Sequence, residues 1–161
     1  MTAALARLAE VAGASGFGQW ASASPIAYPI ANVVHLLGLV MLVGAIGILD
    51  LRMAGAFRAI PLVPLSRALT PIALTGLILM VPSGATMFAA DAPTFAASPV
   101  FQLKLILIAV ALANAALFRV LWRHRLASWD EAPPLGGRLM AVGSIASWLT
   151  IGALGRMIAY S

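Results

Sequence analysis

The chain has 161 residues, 62% of them hydrophobic and 9% charged, with a net charge of +5 and a mean hydropathy of +1.01. A soluble domain carries roughly 25% charged residues to cover its surface, so this composition excludes one and indicates a single integral membrane domain. The chain has no cysteine, which excludes disulfides, thiolate metal sites, iron–sulfur clusters and covalently attached c-type haem.

Residues 1–24 predict an amphipathic segment rather than a signal peptide, because Glu10 and several Gly and Ser residues interrupt any continuous apolar stretch. Leu5, Leu8, Val11 and Ala12 fall on one helical face, with Arg7 and Glu10 off it. The expected form is a short helix lying in the outer membrane interface. Trp20 and Tyr28 would mark the outer aromatic belt, and Trp122 and Trp129 the inner one.

Four apolar runs then follow, at 25–49, 65–90, 99–122 and 137–160. Each supplies the roughly 20 residues needed to cross about 30 Å of hydrocarbon. The bilayer core cannot hydrogen-bond exposed backbone, so the runs should be helices. The links at 50–64, 91–98 and 123–136 are short, which predicts an all-α, integral membrane, up-down-up-down four-helix bundle over residues 25–161.

The basic residues orient this bundle. Arg52, Arg58, Arg67, Arg119, Arg123, Arg125 and Arg138 lie in segments 50–67 and 119–138, whereas the link at 91–98 holds only Asp91. The bias predicts a bacterial inner-membrane protein with both termini periplasmic. It makes the positive charge a signal of topology and anionic lipid, not of nucleic acid. His124, within WRHR, is expected at that lipid surface.

The residues that could carry chemistry begin with His35, an ionisable side chain about 15 Å along the first span from Pro25. Tyr28, Asn32 and His35 share one helical face, and Gly38 continues it. In the second span, Met80 comes to a similar level, with Gly76, Gly84 and Met87 on the same stripe and a kink expected at Pro82. Lys104 and Arg156 lie near the outer ends of the third and fourth spans, outward of His35. Such a set suits haem b, with imidazole ligation, cations for the propionates, glycines making room and Met80 as a weak sixth ligand. Cu(I) on His35 and Met80 is the alternative metal, and interhelical hydrogen bonding by His35 the purely structural one. Asp50 is expected to pair with a loop arginine. Asn114, Ser144, Ser147 and Thr150 are expected to bond between helices. No hydrolytic constellation is visible.

The motifs YP…N-x-x-H…G…LDLR from Tyr28 to Arg52, F-x-x-K at Phe101–Lys104 and GRMIAY at Gly155–Tyr160 resemble a group of small bacterial four-helix membrane proteins. That group is in turn distantly similar to CopD-type copper-resistance membrane domains and to four-helix b-type cytochromes. The resemblance implies His35 as a ligand, and Lys104 and Arg156 as parts of the same outer site. The functional expectation is therefore an inner-membrane cofactor-binding subunit, with haem b, in electron transfer or redox partnering, without catalytic activity alone. The alternatives are a non-catalytic subunit, as a homo-oligomer or within a larger membrane complex, and copper handling.

Overall fold

A computed structural model describes residues 3–158, and every regular element in it is helical. Two short helices, α1 (Ala3–Ala14) and α2 (Gly16–Ala23), precede the long α3 (Ala27–Ala54) and α4 (Leu62–Ala90). The short α5 (Ala92–Ala97) leads into α6 (Pro99–Trp122). A 3-10 turn at Arg123–Arg125 then precedes α7 (Leu135–Met157). The helices α3, α4, α6 and α7 are each long and apolar enough to cross a membrane.

Local chemistry sets the boundaries. Ser98 caps α6 by accepting from the Phe101 N–H at 3.3 Å, and Pro99 opens the helix where a missing N–H costs nothing. Gly55 ends α3 in the left-handed region at φ 118°, its N–H reaching back to the Leu51 and Arg52 carbonyls. The second span starts at Leu62 rather than 65, since Pro64 sits in a first turn that tolerates proline. Pro71 and Pro82 lie inside α4, which runs on through both. The link at 91–98, expected as a loop, holds α5.

The first span also runs beyond 49, through Asp50 and Arg52, because both side chains are buried inside the fold. Arg52 is only 2% exposed. Its guanidinium donates to the Ile60 carbonyl at 2.7 Å, to the Arg58 carbonyl at 3.3 Å and to Asp130 at 2.5 Å. Arg138 donates to the Ala54 carbonyl at 2.8 and 3.1 Å, and the Trp129 indole to the Met53 carbonyl at 3.2 Å. The final carbonyls of α3, which have no partner within the helix, are thus satisfied by residues from the far end of the chain. This corrects two expectations. Asp50 makes no ion pair with a loop arginine, and Trp129 is a buried cap rather than a belt residue.

Neighbouring helices run antiparallel. His35 meets Ser83 while Met53 clusters with Leu62, across α3 and α4. Ala54 meets Arg138 while Leu42 packs with Ile151, across α3 and α7. Asn114 of α6 donates to the Met140 carbonyl of α7 at 3.1 Å. Helices α3 and α7 form the central pair, with α4 on one side and α6 on the other, and α4 makes little direct contact with α6. The tightest approach lies between α3 and α4. A Cβ built on Gly38 would fall 2.7 Å from the Gly76 carbonyl oxygen, and one on Gly76 would fall 2.6 Å from that of Gly38.

The N-terminal helices pack on the opposite end from the arginine network. Ala9 of α1 and Ala92 and Ala96 of α5 are buried together, with Leu5, Ala12 and Phe88 around them. The expected single apolar face therefore splits, and Leu8 and Val11 point away from the fold. Alanines dominate the contact because they let two short helices approach closely.

Two stability outcomes follow. Gly38→Ala should lower stability by about 1–3 kcal/mol, because its methyl group meets a backbone oxygen that can move only with its helix. Gly44→Ala, where a Cβ has open space, should be neutral or stabilising by up to about 1 kcal/mol; thermal unfolding in detergent compares the two. Trp129→Phe should cost about 1–3 kcal/mol by leaving the buried Met53 carbonyl without its donor, read by the same assay.

Candidate functional site

Close packing at Gly38 and Gly76 brings the α5-proximal halves of α3 and α4 into register, so that His35 faces Pro82–Gly84. The His35 Nδ1 lies 3.1 Å from Ser83 Oγ. Ser83 donates its single hydroxyl proton along its own helix, to the Leu79 carbonyl at 2.6 Å, with the Met80 carbonyl at 3.3 Å. With that proton on the Leu79 carbonyl, the hydroxyl accepts from His35, the arrangement that carries the ring proton on Nδ1 and keeps the lone pair on Nε2. Pro82 has no N–H to give, so α4 is already short of one internal bond at this turn.

Glycine makes the contact possible. A Cβ on Gly84 would sit 3.2 Å from His35 Cε1 and 3.5 Å from Nδ1, so the ring lies against the bare α4 backbone. From α6, Lys104 reaches α7, where its Nζ lies 3.3 Å from the position of a Gly155 Cβ. Its charge also acts on the His35 imidazole. His35 of α3 thus meets Ser83 and Gly84 of α4, and Lys104 of α6 separately meets Gly155 of α7.

The other expected site residues are placed less directly. Tyr28 and Asn32 are half-buried on α3, and no hydrogen bond among the described residues joins them to His35. Arg156 is exposed, next to Gly155. Tyr160 lies outside the described residues. Gly38 and Met80 do come together, but as packing: Met80 Cγ lies 2.8 Å from the Gly38 Cβ position, and Met80 belongs to the main buried cluster. Met41 packs its Cβ 3.0 Å from the Cβ position of Gly76. His124 accepts from its neighbour Arg123 at 3.0 Å on the surface. Ser147 and Thr150 bond back to their own helix, at the Gly143 and Ala146 carbonyls, whereas Asn114 makes the expected interhelical bond and Ser144 interacts with Asp50 of α3.

No group of three or more His, Cys, Asp or Glu side chains that could hold a metal occurs among the described residues. A single imidazole nitrogen with a free lone pair is nevertheless the donor a haem iron or Cu(I) takes, and its Nδ1–H is fixed as in most metal-ligating histidines. Space is the limiting quantity. The room expected beside Gly38 is taken by Met80 and the Gly76 backbone, and the room beside Gly84 by the imidazole itself. As packed, the α3–α4 face does not fit a macrocycle.

Sequence reasoning passed over Ser83. The available signal was depth: Ser83 lies between Met80 and Gly84, both of which match the level of His35, and a hydroxyl is the group there able to orient an imidazole. Ser83→Ala should remove that orientation. In 15N NMR of labelled protein, His35 should show one Nδ1–H tautomer in the native chain and a mixture in the variant. Compared with protein-family models, curated proteins and solved structures, the chain matches none.

Proposed function

We propose that this chain is a multi-pass inner-membrane subunit that binds one group through His35 and serves in redox partnering. The supporting observation is the 3.1 Å contact of His35 Nδ1 with Ser83 Oγ, itself 2.6 Å from the Leu79 carbonyl; donation from Nδ1–H there leaves Nε2 as an acceptor or ligand atom in the apolar interior. Lys104 adds a positive charge from a third helix, suited to an anionic substituent on whatever binds. The proposed orientation puts both termini and the His35 half on the periplasmic side. The arginine network then faces the cytoplasm, where positive loops belong.

Haem b is the group suggested by the resemblance. When bound, it would supply one-electron chemistry, with His35 Nε2 as its protein ligand and Lys104 and Arg156 as partners of its propionates. The residues offer the donor but not the room. Cu(I) needs less space, yet Met80 is engaged in packing against Gly38.

The competing reading is a structural subunit, in which His35 is only an interhelical hydrogen bond. It is favoured by α6, whose Leu103, Ile106, Val110, Leu117 and Val120 are exposed and face either lipid or another chain. One purified sample separates the two. A Soret band or a bound metal that is lost in His35→Ala supports the binding subunit. Absence of both, together with an oligomer or partner complex in native mass spectrometry, supports the structural one.

A further inference from the structure

Two polar groups buried in the other half of the fold have no partner. Asp50 of α3 is 5% exposed, and its Oδ2 makes no hydrogen bond among the described residues. Trp148 of α7 is 3% exposed, and its indole N–H is likewise unpartnered. An acceptor and a donor, each more than nine-tenths buried and each on a different helix, are left unsatisfied on the central helix pair. Each such group costs about 1–3 kcal/mol if nothing meets it.

Helix geometry directs them toward one another. Ser144, buried on α7, faces the Asp50 carboxyl closely enough to interact with it. Trp148 lies one turn further along α7 and packs in the cluster that holds Leu42 and Ala45 of α3. Side chains lean toward the N-terminus of their own helix. Because α3 and α7 run antiparallel, Asp50 leans toward the level of Ala45, and Trp148 leans toward the level of Ser144. That tilt aims both side chains at the space between those levels, and neither bonds the other.

Among the described residues no cation pairs with the carboxyl. Arg52 is committed to loop carbonyls and Asp130, and Arg138 to the Ala54 carbonyl. Arg67 of α4 and Arg119 of α6 are exposed. A metal ion is disfavoured by the indole, which can donate but cannot ligate. The occupant must accept from an N–H and donate to an oxygen. Water does both, and a buried water needs 2–4 such partners. Trp148 Nε1, Asp50 Oδ2 and the Ser144 hydroxyl supply three.

We propose that α3 and α7 enclose one ordered water molecule, accepting from Trp148 Nε1–H and donating to Asp50 Oδ2, with Ser144 beside it. This site is separate from His35 and independent of what His35 binds. It keeps the buried carboxyl of the membrane domain hydrated. A carboxyl bonded to water can exchange protons, whereas one sealed in hydrocarbon cannot.

Solid-state NMR on 15N-labelled protein in lipid bilayers tests it. The indole signals are assigned by single Trp→Phe variants, and magnetisation transfer from water to each indole is recorded. Trp148 should receive transfer despite its burial, alongside the exposed Trp20 as internal control. Asp50→Val should abolish the Trp148 transfer, and Asp50→Asn, which keeps an acceptor oxygen, should retain it with a shifted indole proton. Transfer to Trp20 but none to Trp148 in the native chain overturns the proposal, as does transfer to Trp148 that persists in Asp50→Val. The native-chain measurement decides the matter even where Asp50→Val does not fold.

Discussion

The contact between the α3 and α4 backbones at Gly38 and Gly76 is the constraint on which the rest of the arrangement depends. With no Cβ on either side, two carbonyl-bearing helices meet where almost any side chain would force them apart. Close approach at that level fixes the separation about one turn along α3 and two along α4, where His35 reaches Ser83 and lies on Gly84. It also determines which interior faces remain for α7 and α6. The same closeness that positions the imidazole removes the free volume a large flat ligand needs, so pre-organisation of the donor and room for the guest compete at one helix crossing.

Polar groups are distributed unevenly along the fold, and for different reasons at its two ends. At the arginine end, Arg52, Arg138 and Trp129 serve mainly to satisfy carbonyls, and the buried guanidinium is tolerated because three oxygens meet it. Nearer α5, the candidate site draws on one imidazole, one hydroxyl and one ammonium, from three helices. The first set holds a helix end and a loop in place, whereas the second leaves a lone pair uncommitted. That contrast distinguishes a structural network from a candidate binding atom more reliably than the presence of charge does.

The four long helices were legible in the sequence because an apolar run of about 20 residues has few other solutions. The third run was read at its observed limits, 99–122. The first apolar run stops at 49, yet Asp50 and Arg52 lie inside α3, since burial can be offset by partners that a linear reading does not reveal. Of the site residues, His35 and Lys104 are recognisable in the sequence as ionisable groups in apolar runs, with Lys104 outward of His35 by depth. Ser83 was not recognised, because a serine in a membrane helix usually bonds its own backbone. This one does so while also accepting from His35. The sequence puts Met80 at the level of His35, but only the packed structure shows that Met80 fills the crossing at Gly38.

The manner in which α3 ends bears on the order of assembly. Its last carbonyls receive their donors from Trp129 and Arg138, which lie 76 and 84 residues further along the chain. A chain emerging from the ribosome N-terminus first makes this long helix early but cannot finish it until the final hairpin of α6 and α7 arrives. Until then, the exposed carbonyls and the unmatched Arg52 form a provisional end, available to water, lipid headgroups or an insertion chaperone. The first long segment to be synthesised is thus the last to be sealed, and a truncation before Arg138 would leave α3 without its cap even though every residue of the helix is present.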